Sequence, residues 1–295
     1  MTLAARYPWP SPAGVQDEPK WIGDRFQIGT RRERVLQYGV SEDGWSDDLS
    51  VLHEEFAGSE HPMDRASRSY ALWQLGRHVR PQSVILEVGC SSGYLLKELG
   101  ALFQSALVIG ADSIGWLGEV AGRAPGIPLL QFDLTECPLP DATVDAVICL
   151  NVLEHIADDL AAMRQIARVL RPGGIAVIEV PAGPTLYDWY DESLRHYRRY
   201  SMKGLRDLAG RAGLGIVRAT HLGAFVYPGF GVLKRYRRWQ QPTARDLSAV
   251  KRSVSRTRAS RGLAACLAIE LAVGRVMQYP FGIRCVATCQ KPSSS

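Results

Sequence analysis

Carboxylate and amide side chains occur where four successive apolar stretches of the chain end. The turn Glu87-Val-Gly-Cys-Ser-Ser-Gly93 follows the first stretch, Asp112 closes the second, and Asp133 and Asn151 follow the third and fourth. One such carboxylate can accept hydrogen bonds from both hydroxyls of a ribose, and another can accept from the amino group of adenine. Each residue alone also fits a loop acid or a helix cap, but four in succession favour a single ligand site.

The spacing of the two glycines in this turn limits which class of ligand it can bind. A glycine turn lets the backbone approach a ligand at the N-terminus of a helix. Dinucleotide sites use Gly-x-Gly-x-x-Gly to admit a pyrophosphate, whereas the spacing here is Gly89-x-x-x-Gly93. The spacing therefore favours an adenosine ligand that carries no phosphate.

Short apolar runs alternate with helical patterns along the chain, and these elements must position the polar groups. Strands are predicted at 83–88, 106–111, 144–150, 175–180, 214–220 and 283–289, with a further strand just before Asp133. Helices are predicted at 64–79, 94–102, 116–123, 158–170 and 202–212. This alternation predicts βαβ units and a predominantly parallel sheet, which binds ligands at the carboxyl ends of its strands.

Five motifs in this region have the spacing of one enzyme family. They are Leu86-Glu-Val-Gly-Cys-Ser-Ser-Gly93, Asp112, Phe132-Asp133-Leu134, Val144-Asp-Ala146 to Asn151-Val-Leu-Glu-His155, and Leu170-Arg-Pro-Gly-Gly174. They resemble the class I S-adenosylmethionine-dependent methyltransferases, and the segments 195–201 and 280–282 are similar to the bacterial type 11/12 branch. The resemblance implies an α/β fold with a Rossmann-like, seven-stranded, mostly parallel sheet, helices on both faces and an antiparallel last strand at 283–289.

The resemblance also implies S-adenosyl-L-methionine as cofactor and S-adenosyl-L-homocysteine as product. The implied cofactor-binding residues differ in the part of the ligand that they meet. They are Glu87, Gly89, Cys90 and Gly93 in the turn at the methionine end, Asp112 at the ribose, Asp133, Leu134 and Ile114 at the adenine, and Asn151 near the sulfonium. Ile114 fits equally well as a residue of the hydrophobic core without a ligand contact.

Two histidines, His155 and His196, are candidate catalytic bases, which methyl transfer needs only when the acceptor must lose a proton. His155 also fits a structural role, and His196 fits a histidine bonded to a neighbouring acid. The segment after the strand predicted at 175–180 should carry the acceptor site. The arginines of this segment either clamp an anionic acceptor or pair with acids of the N-terminal arm and so fix a lid. Its candidate substrate-binding residues are Tyr190, Arg198, Arg199 and Tyr200.

The net charge of +5 is unevenly distributed along the chain. Residues 193–261 carry 17 Lys and Arg against two acids, whereas residues 41–64 carry eight acids and neither Lys nor Arg. The basic-aromatic cluster at 234–239 would meet a membrane surface or RNA, or would form a solvated helix face. We predict an N-terminal arm and acidic segment (1–63), a cofactor-binding core (64–224) with a lid at about 183–200, a basic helical insertion (225–279), and a terminal strand with a tail (280–295).

These features favour a methyltransferase for a small-molecule acceptor, anionic or lipid-linked, with oxygen as the methylated atom. The alternatives are an RNA methyltransferase that uses the basic segment, a C- or N-methyltransferase of a natural product, and a non-catalytic binding partner. Nucleic acid is disfavoured because neither a separate RNA-binding module nor an Asn/Asp-Pro-Pro-Tyr motif is present.

Metal ions, disulfides and membrane spans are not expected from the sequence. The histidine, cysteine and acidic residues lack metal-ligand spacing, and a sulfonium needs no Lewis acid to donate its methyl group. Six cysteines without a Cys-x-x-Cys pair, a start without a signal-peptide pattern and the lack of a long apolar stretch predict a cytoplasmic protein.

Overall fold

The computed structural model describes residues 2–39, 60–240 and 260–293. The strands of this part are β1 (Lys20–Trp21), β2 (Phe26–Ile28), β3 (Arg31–Glu33), β4 (Val35–Gln37), β5 (Val84–Val88), β6 (Leu107–Asp112), β7 (Leu129–Gln131), β8 (Val144–Leu150), β9 (Leu170–Pro181), β10 (Gly215–Leu222) and β11 (Arg284–Gln290). The helices are α1 (Leu3–Arg6), α2 (Pro62–Leu75), α3 (Tyr94–Leu102), α4 (Leu117–Arg123), α5 (Asp159–Val169), α6 (Trp189–Ser193), α7 (Met202–Arg211), α8 (Tyr227–Gln240) and α9 (Arg261–Gly274).

Eight of these strands form the main sheet, in the order β10-β11-β9-β8-β5-β6-β7-β4. Strands β4 to β9 pair in parallel, and β11 is antiparallel to both of its neighbours. The predicted Rossmann-like α/β fold and its antiparallel last strand are confirmed. Strands β6 and β8 lie on opposite sides of β5, so the strand order reverses beside β5. Doubly wound sheets bind ligands at such a point.

The main sheet is buried on both faces because its strands are almost wholly apolar. In β5, Val84, Leu86 and Val88 belong to one core and Ile85 belongs to the other. Helices α5 and α7 cover the first face, and α2, α3, α4 and α9 cover the second. The polar groups that the sheet positions are therefore found in the last residues of the strands and in the loops that follow them.

The N-terminal arm contains four strands, although no strand was predicted there from the sequence. Strands β1, β2 and β3 form a small antiparallel sheet, and β4 adds an eighth strand to the main sheet by pairing in parallel with β7. Trp9 and Trp21 both pack against Phe26, with ring centroids 5.0 and 4.8 Å away. The Tyr7 hydroxyl lies 2.9 Å from the Thr143 hydroxyl, so aromatic packing fixes the arm to the core. Most of the acidic segment (41–59) lies outside the described residues.

Most of the described residues of the predicted basic helical insertion (225–279) form the helices α8 and α9. Leu267 of α9 packs in the same core as α2. The buried carboxylate of Glu270 accepts hydrogen bonds from the backbone N–H groups of Gly223 (2.6 Å) and Phe225 (3.0 Å), which ties α9 to the end of β10. Among the described helices, none combines the length and the apolarity needed to cross a membrane.

Candidate active site

A cavity of about 680 Å³ opens at the carboxyl ends of β5, β6 and β8, beneath α2, α6, α8 and α9. This volume is typical of a small-molecule site. The structure brings twelve of the fifteen predicted site residues into its lining. They are Glu87, Gly89, Cys90, Gly93, Asp112, Asp133, Leu134, Asn151, His155, Tyr190, His196 and Arg199.

The glycine turn after β5 has a backbone that only glycine adopts easily. Gly89 and Gly93 have φ angles of +75° and +74°, in the left-handed region. A Cβ atom on Gly89 would clash with the side chain of Val152, and one on Gly93 would lie 2.7 Å from Val120. The turn therefore needs both glycines to bring its backbone up to the cavity and start α3.

Asp112, the last residue of β6, is held rigidly at the cavity wall. Its two carboxylate oxygens accept hydrogen bonds from the backbone N–H groups of Ser91 (2.7 Å) and Ser113 (2.8 Å). A carboxylate oxygen can accept more than one hydrogen bond, so the side chain keeps capacity for the two hydroxyls of a ribose.

Glu87 provides a test of whether the cavity suits a cationic ligand. Its side chain is buried, and its Oε2 atom has no hydrogen-bond partner. Burial, and next the charge of Asp112, raise the pKa of Glu87 well above its ordinary value. A buried carboxyl oxygen without a partner is costly, and an ammonium group in the cavity would satisfy it. The amino group of S-adenosylmethionine fits this requirement.

Asp133 caps a helical turn, which was the alternative role that the sequence allowed for it. Its Oδ1 atom accepts hydrogen bonds from the backbone N–H of Thr135 (2.8 Å) and from the Thr135 hydroxyl (2.7 Å). This oxygen caps the turn that begins at Leu134. Asp133 and Leu134 both line the cavity, with part of the carboxylate occupied by the cap.

Asn151 belongs to a chain of polar contacts whose other members were not predicted as site residues. Its backbone has a φ of +54°, and its Nδ2 atom donates to Glu179 Oε1 at 2.8 Å. Glu179 also pairs with Arg284 (2.8 Å), which in turn pairs with Asp64 (2.7 Å). Asp64 and Arg284 line the cavity, although they are 220 residues apart. Only the pairing of β11 with β9 and the packing of α2 bring these charges together.

Two histidines and one glutamate meet at the end of the cavity below α6. The rings of His155 and His196 lie edge to face with centroids 4.6 Å apart. Burial, and next the neighbouring His196, lower the pKa of His155 to about 3, and burial raises the pKa of Glu154 to about 8. Burial also lowers the pKa of His196, whose Nδ1 atom lies 3.0 Å from Asp191 Oδ1. Both imidazoles are therefore neutral near pH 7.

Asp191 in α6 is the centre of a buried ion network that fixes the lid segment. It accepts hydrogen bonds from Arg199 Nε (2.8 Å) and Lys234 Nζ (2.8 Å), in addition to its contact with His196. Burial alone would raise the pKa of Asp191, but His196, Arg199 and Lys234 hold it well below its ordinary value. The sequence allowed a lid role for the arginines, with the N-terminal arm as partner. That partner was wrong for Arg199, because its acid lies in α6.

Lys234 contradicts the view of segment 234–239 as a uniformly solvated face. Its side chain is 1% exposed, and its Nζ atom pairs with Asp188 Oδ1 at 2.7 Å as well as with Asp191. The ammonium group also lies 5.5 Å from the centre of the Tyr190 ring. The side chains of 237–240 lie outside the described part of the chain.

Three predicted site residues do not line the cavity. Arg198 pairs with Asp159 at 2.8 Å and donates to the backbone of Ala157, so its charge faces α5. The Tyr200 hydroxyl donates to the same Asp159 (2.8 Å) from a buried position. Ile114 is buried in the core beside α4, as its alternative assignment allowed. The predicted substrate role of Arg198 and Tyr200 thus finds no support in their position.

The sheet order and the cavity beside β5 have the arrangement of the class I methyltransferase fold. Comparisons with known proteins point to the same fold and to the use of S-adenosylmethionine. Residues 86–178 match the family described as "Methyltransferase domain". A Mycobacterium tuberculosis H37Rv protein named Probable S-adenosylmethionine-dependent methyltransferase Rv3030 is 31% identical over 131 residues, which are 44% of this chain and 47% of that relative. Demethylmenaquinone methyltransferase of Corynebacterium kroppenstedtii is 34% identical over 118 residues, 38% of this chain and 50% of the relative.

A solved structure extends the similarity of the fold beyond the matched segment. Phosphoethanolamine N-methyltransferase 2 of Haemonchus contortus, in complex with phosphomonomethylethanolamine and S-adenosylhomocysteine, superposes with a TM-score of 0.57 and 17% identity. The similarity covers 84% of this chain and 58% of that protein. The chain spans about half the length of the relatives that it matches in sequence. The chain therefore carries a class I S-adenosylmethionine-dependent methyltransferase domain.

Proposed function

We propose that this protein transfers a methyl group from S-adenosylmethionine to an oxygen atom of a small, largely apolar acceptor. The observation that carries the proposal is the composition of the single cavity described above. One end combines the glycine turn, the orphaned Glu87 carboxyl and the rigid Asp112. The other end combines neutral histidines with an apolar wall.

At the cofactor end, each proposed role follows from a contact or its absence. The backbone of the turn at Gly89 and Gly93 would approach the methionine end, where Glu87 would pair with the amino group. Asp112 would hold the ribose, and Asp133 with Leu134 would border the adenine. Asn151, whose amide is fixed by Glu179, would line the region of the sulfonium.

At the acceptor end, the wall of the cavity is apolar. The side chains of this wall come from α2, α8, α9 and the start of the last strand, and they are Met63, Val226, Phe230, Leu233, Leu263 and Ile283. Tyr190 and Arg199 are polar groups at the same end. Such a wall suits an acceptor with a lipid-like or aromatic body. The demethylmenaquinone methyltransferase among the relatives is compatible with such an acceptor.

The outer face of α8 supports contact with a membrane that holds such an acceptor. Val232 is 68% exposed and Tyr236 is 52% exposed, and both stand beside the basic residue Arg235. Leu233 is partly exposed and also lines the cavity, so the apolar wall continues onto the surface. Apolar side chains flanked by basic ones are typical of helices that lie on an anionic lipid surface.

The main task of the protein in this reaction is to position the acceptor relative to the methyl group. S-adenosylmethionine supplies an already activated methyl group, which needs only a nucleophile in line with the carbon–sulfur bond. The cavity walls and Tyr190 would hold the acceptor in that line. His196 is neutral, and its Nδ1 atom is engaged by Asp191, so its Nε2 atom can accept the proton of an acceptor hydroxyl. His155 lies beside it and would border the same hydroxyl.

The cofactor assignment is tested by calorimetric binding of S-adenosylhomocysteine to an Asp112→Ala variant. Loss of charge-assisted hydrogen bonds to the ribose should weaken binding by about 1.5–3 kcal/mol, which is roughly 10- to 150-fold in Kd. Asp145→Ala is the matched control, because Asp145 also accepts a backbone N–H (Val84, 2.7 Å) but does not line the cavity. Unchanged affinity in Asp112→Ala would contradict the ribose role, and a wild-type protein that does not bind S-adenosylhomocysteine would refute the proposed function.

A further inference from the structure

Glu154, His155 and His196 form a compact group of ligand atoms inside the cavity. One such atom from each side chain lies within 4.8 Å of those of the other two. Glu154 and His155 come from the turn after β8, whereas His196 follows α6, so 41 residues separate the two histidines. Two imidazoles with one carboxylate are the ligand set that holds divalent transition metals on one face and leaves the other positions open.

The Glu154 carboxylate gives a second, independent indication of a cation. The residue is 1% exposed, and its Oε2 atom has no hydrogen-bond partner. It lines the cavity with both histidines. A buried carboxyl oxygen that no protein group satisfies calls for an explanation, and a metal ion at this position would supply the missing partner.

The surroundings of the histidines are those of metal ligands. The contact between His196 Nδ1 and Asp191 Oδ1 leaves the Nε2 lone pair of His196 directed away from Asp191. Arg199 and Lys234 both pair with Asp191 and hold it in place. The backbone of Arg195 and Leu194 lies beside the His155 ring and can fix its orientation.

We propose that Glu154, His155 and His196 bind a divalent transition-metal ion whose open positions take an oxygen atom of the acceptor. The acceptor part of this proposal rests on the proposed function. The hydroxyl proton would pass to solvent, the new oxygen–carbon bond would form as the carbon–sulfur bond breaks, and the electron pair of that bond would stay on sulfur. In the metal-loaded protein, the Nε2 lone pair of His196 binds the ion and does not take the proton. This proposal differs from the sequence expectation of a metal-free site.

Titration with Mn²⁺ followed by electron paramagnetic resonance tests the site without any assay of methyl transfer. Protein freed of metal with a chelator should bind one Mn²⁺ per chain, in competition with Zn²⁺. Glu154→Gln and His196→Gln should each lower the affinity at least 10-fold, whereas His78→Gln, a histidine outside the cavity, should leave it unchanged. Water-proton relaxation should show exchangeable water on the bound Mn²⁺, and acetohydroxamate should displace that water.

Binding of S-adenosylhomocysteine and the melting temperature, measured on the same variants, separate this proposal from the proposed function. A folded wild type that binds S-adenosylhomocysteine but neither Mn²⁺ nor Zn²⁺ would overturn the metal site alone. Equal Mn²⁺ affinity in the wild type, Glu154→Gln and His196→Gln would also overturn it. If either variant fails to fold, His155→Gln takes its place in the comparison. Bound Mn²⁺ without exchangeable water would overturn the acceptor role.

Discussion

Replacement of Lys234 by methionine should destabilise the protein strongly, although the residue lies in a segment rich in exposed basic side chains. Its ammonium group is 1% exposed and pairs with Asp188 (2.7 Å) and Asp191 (2.8 Å). Methionine keeps an unbranched apolar side chain and removes the charge, together with the contacts of the ammonium group with the rings of Tyr190 and Phe230. Removal of one member of a buried ion pair costs about 3–5 kcal/mol, because the remaining charge is left without compensation.

The uncompensated charge should reside mainly on Asp188. Asp191 keeps Arg199 and His196 as partners, whereas Asp188 keeps only uncharged backbone donors, the N–H groups of Tyr190 (3.1 Å) and of Asp191 in the capping box of α6. The Oδ2 atom of Asp188 is already without a partner. We therefore expect the Lys234→Met, Asp188→Asn double variant to be less destabilised than the sum of the two single variants, with a coupling of about 1–3 kcal/mol.

The assay is denaturant unfolding at equilibrium, with Arg235→Met as the matched control on the exposed side of the same helix. The control should leave the free energy of unfolding nearly unchanged. A loss of less than about 1 kcal/mol in Lys234→Met would refute the reasoning, because a surface pair would account for it. Additive single and double variants would refute the assignment of the charge to Asp188.

Two further predictions separate buried from exposed titratable groups. Arg199→Ala should lower both kcat/KM and stability, with a loss of about 3–5 kcal/mol in the free energy of unfolding, because Asp191 loses a buried partner. Arg198→Ala should cost about 1 kcal/mol or less in the free energy of unfolding and should keep its activity. The pKa of His221 is lowered by burial, so the unfolded chain binds a proton that the folded chain does not. Its contribution to stability is present above pH 6.5 and is lost as the pH falls towards the folded pKa, with a slope of at most about 1.36 kcal/mol per pH unit. Unfolding curves at pH 7.5 and 5.5 should show this loss in the wild type and a smaller one in His221→Gln; parallel losses would contradict it.

The sheet and the cofactor end of the cavity could be predicted because their determinants are local. An apolar run such as 83–88 becomes a strand buried on both faces wherever helices flank it, and the glycine spacing at Gly89 and Gly93 requires no distant partner. The polar residues at the ends of such strands then meet at one edge of the sheet. Strand β4 was missed because three residues carry too little periodicity, and only its pairing with β7 makes it a strand.

The acceptor end could be predicted only in part because its contacts join distant segments. In the sequence, Lys234 is one of several similar basic residues. Its special role depends on contacts with Asp188 and Asp191, which lie more than 40 residues earlier in the chain. Arg198 and Arg199 are neighbours in sequence, yet the chain turns them towards different acids. The glutamate of the motif at 151–155 was visible, but its missing hydrogen-bond partner is a property of the folded cavity.

Under the proposed function, acceptor specificity would lie in the part of the chain beyond the matched methyltransferase segment. The family match ends at residue 178, whereas the lid helix α6 and the helix α8 follow it and supply Tyr190, His196, Phe230 and Leu233 to the cavity. Lys234 joins these two helices through the acids of α6, so a change in α8 alters both the apolar wall and the position of His196. Under the same proposal, variation in this pair of helices would change the acceptor while the cofactor end, built on β5 and β6, stays as it is.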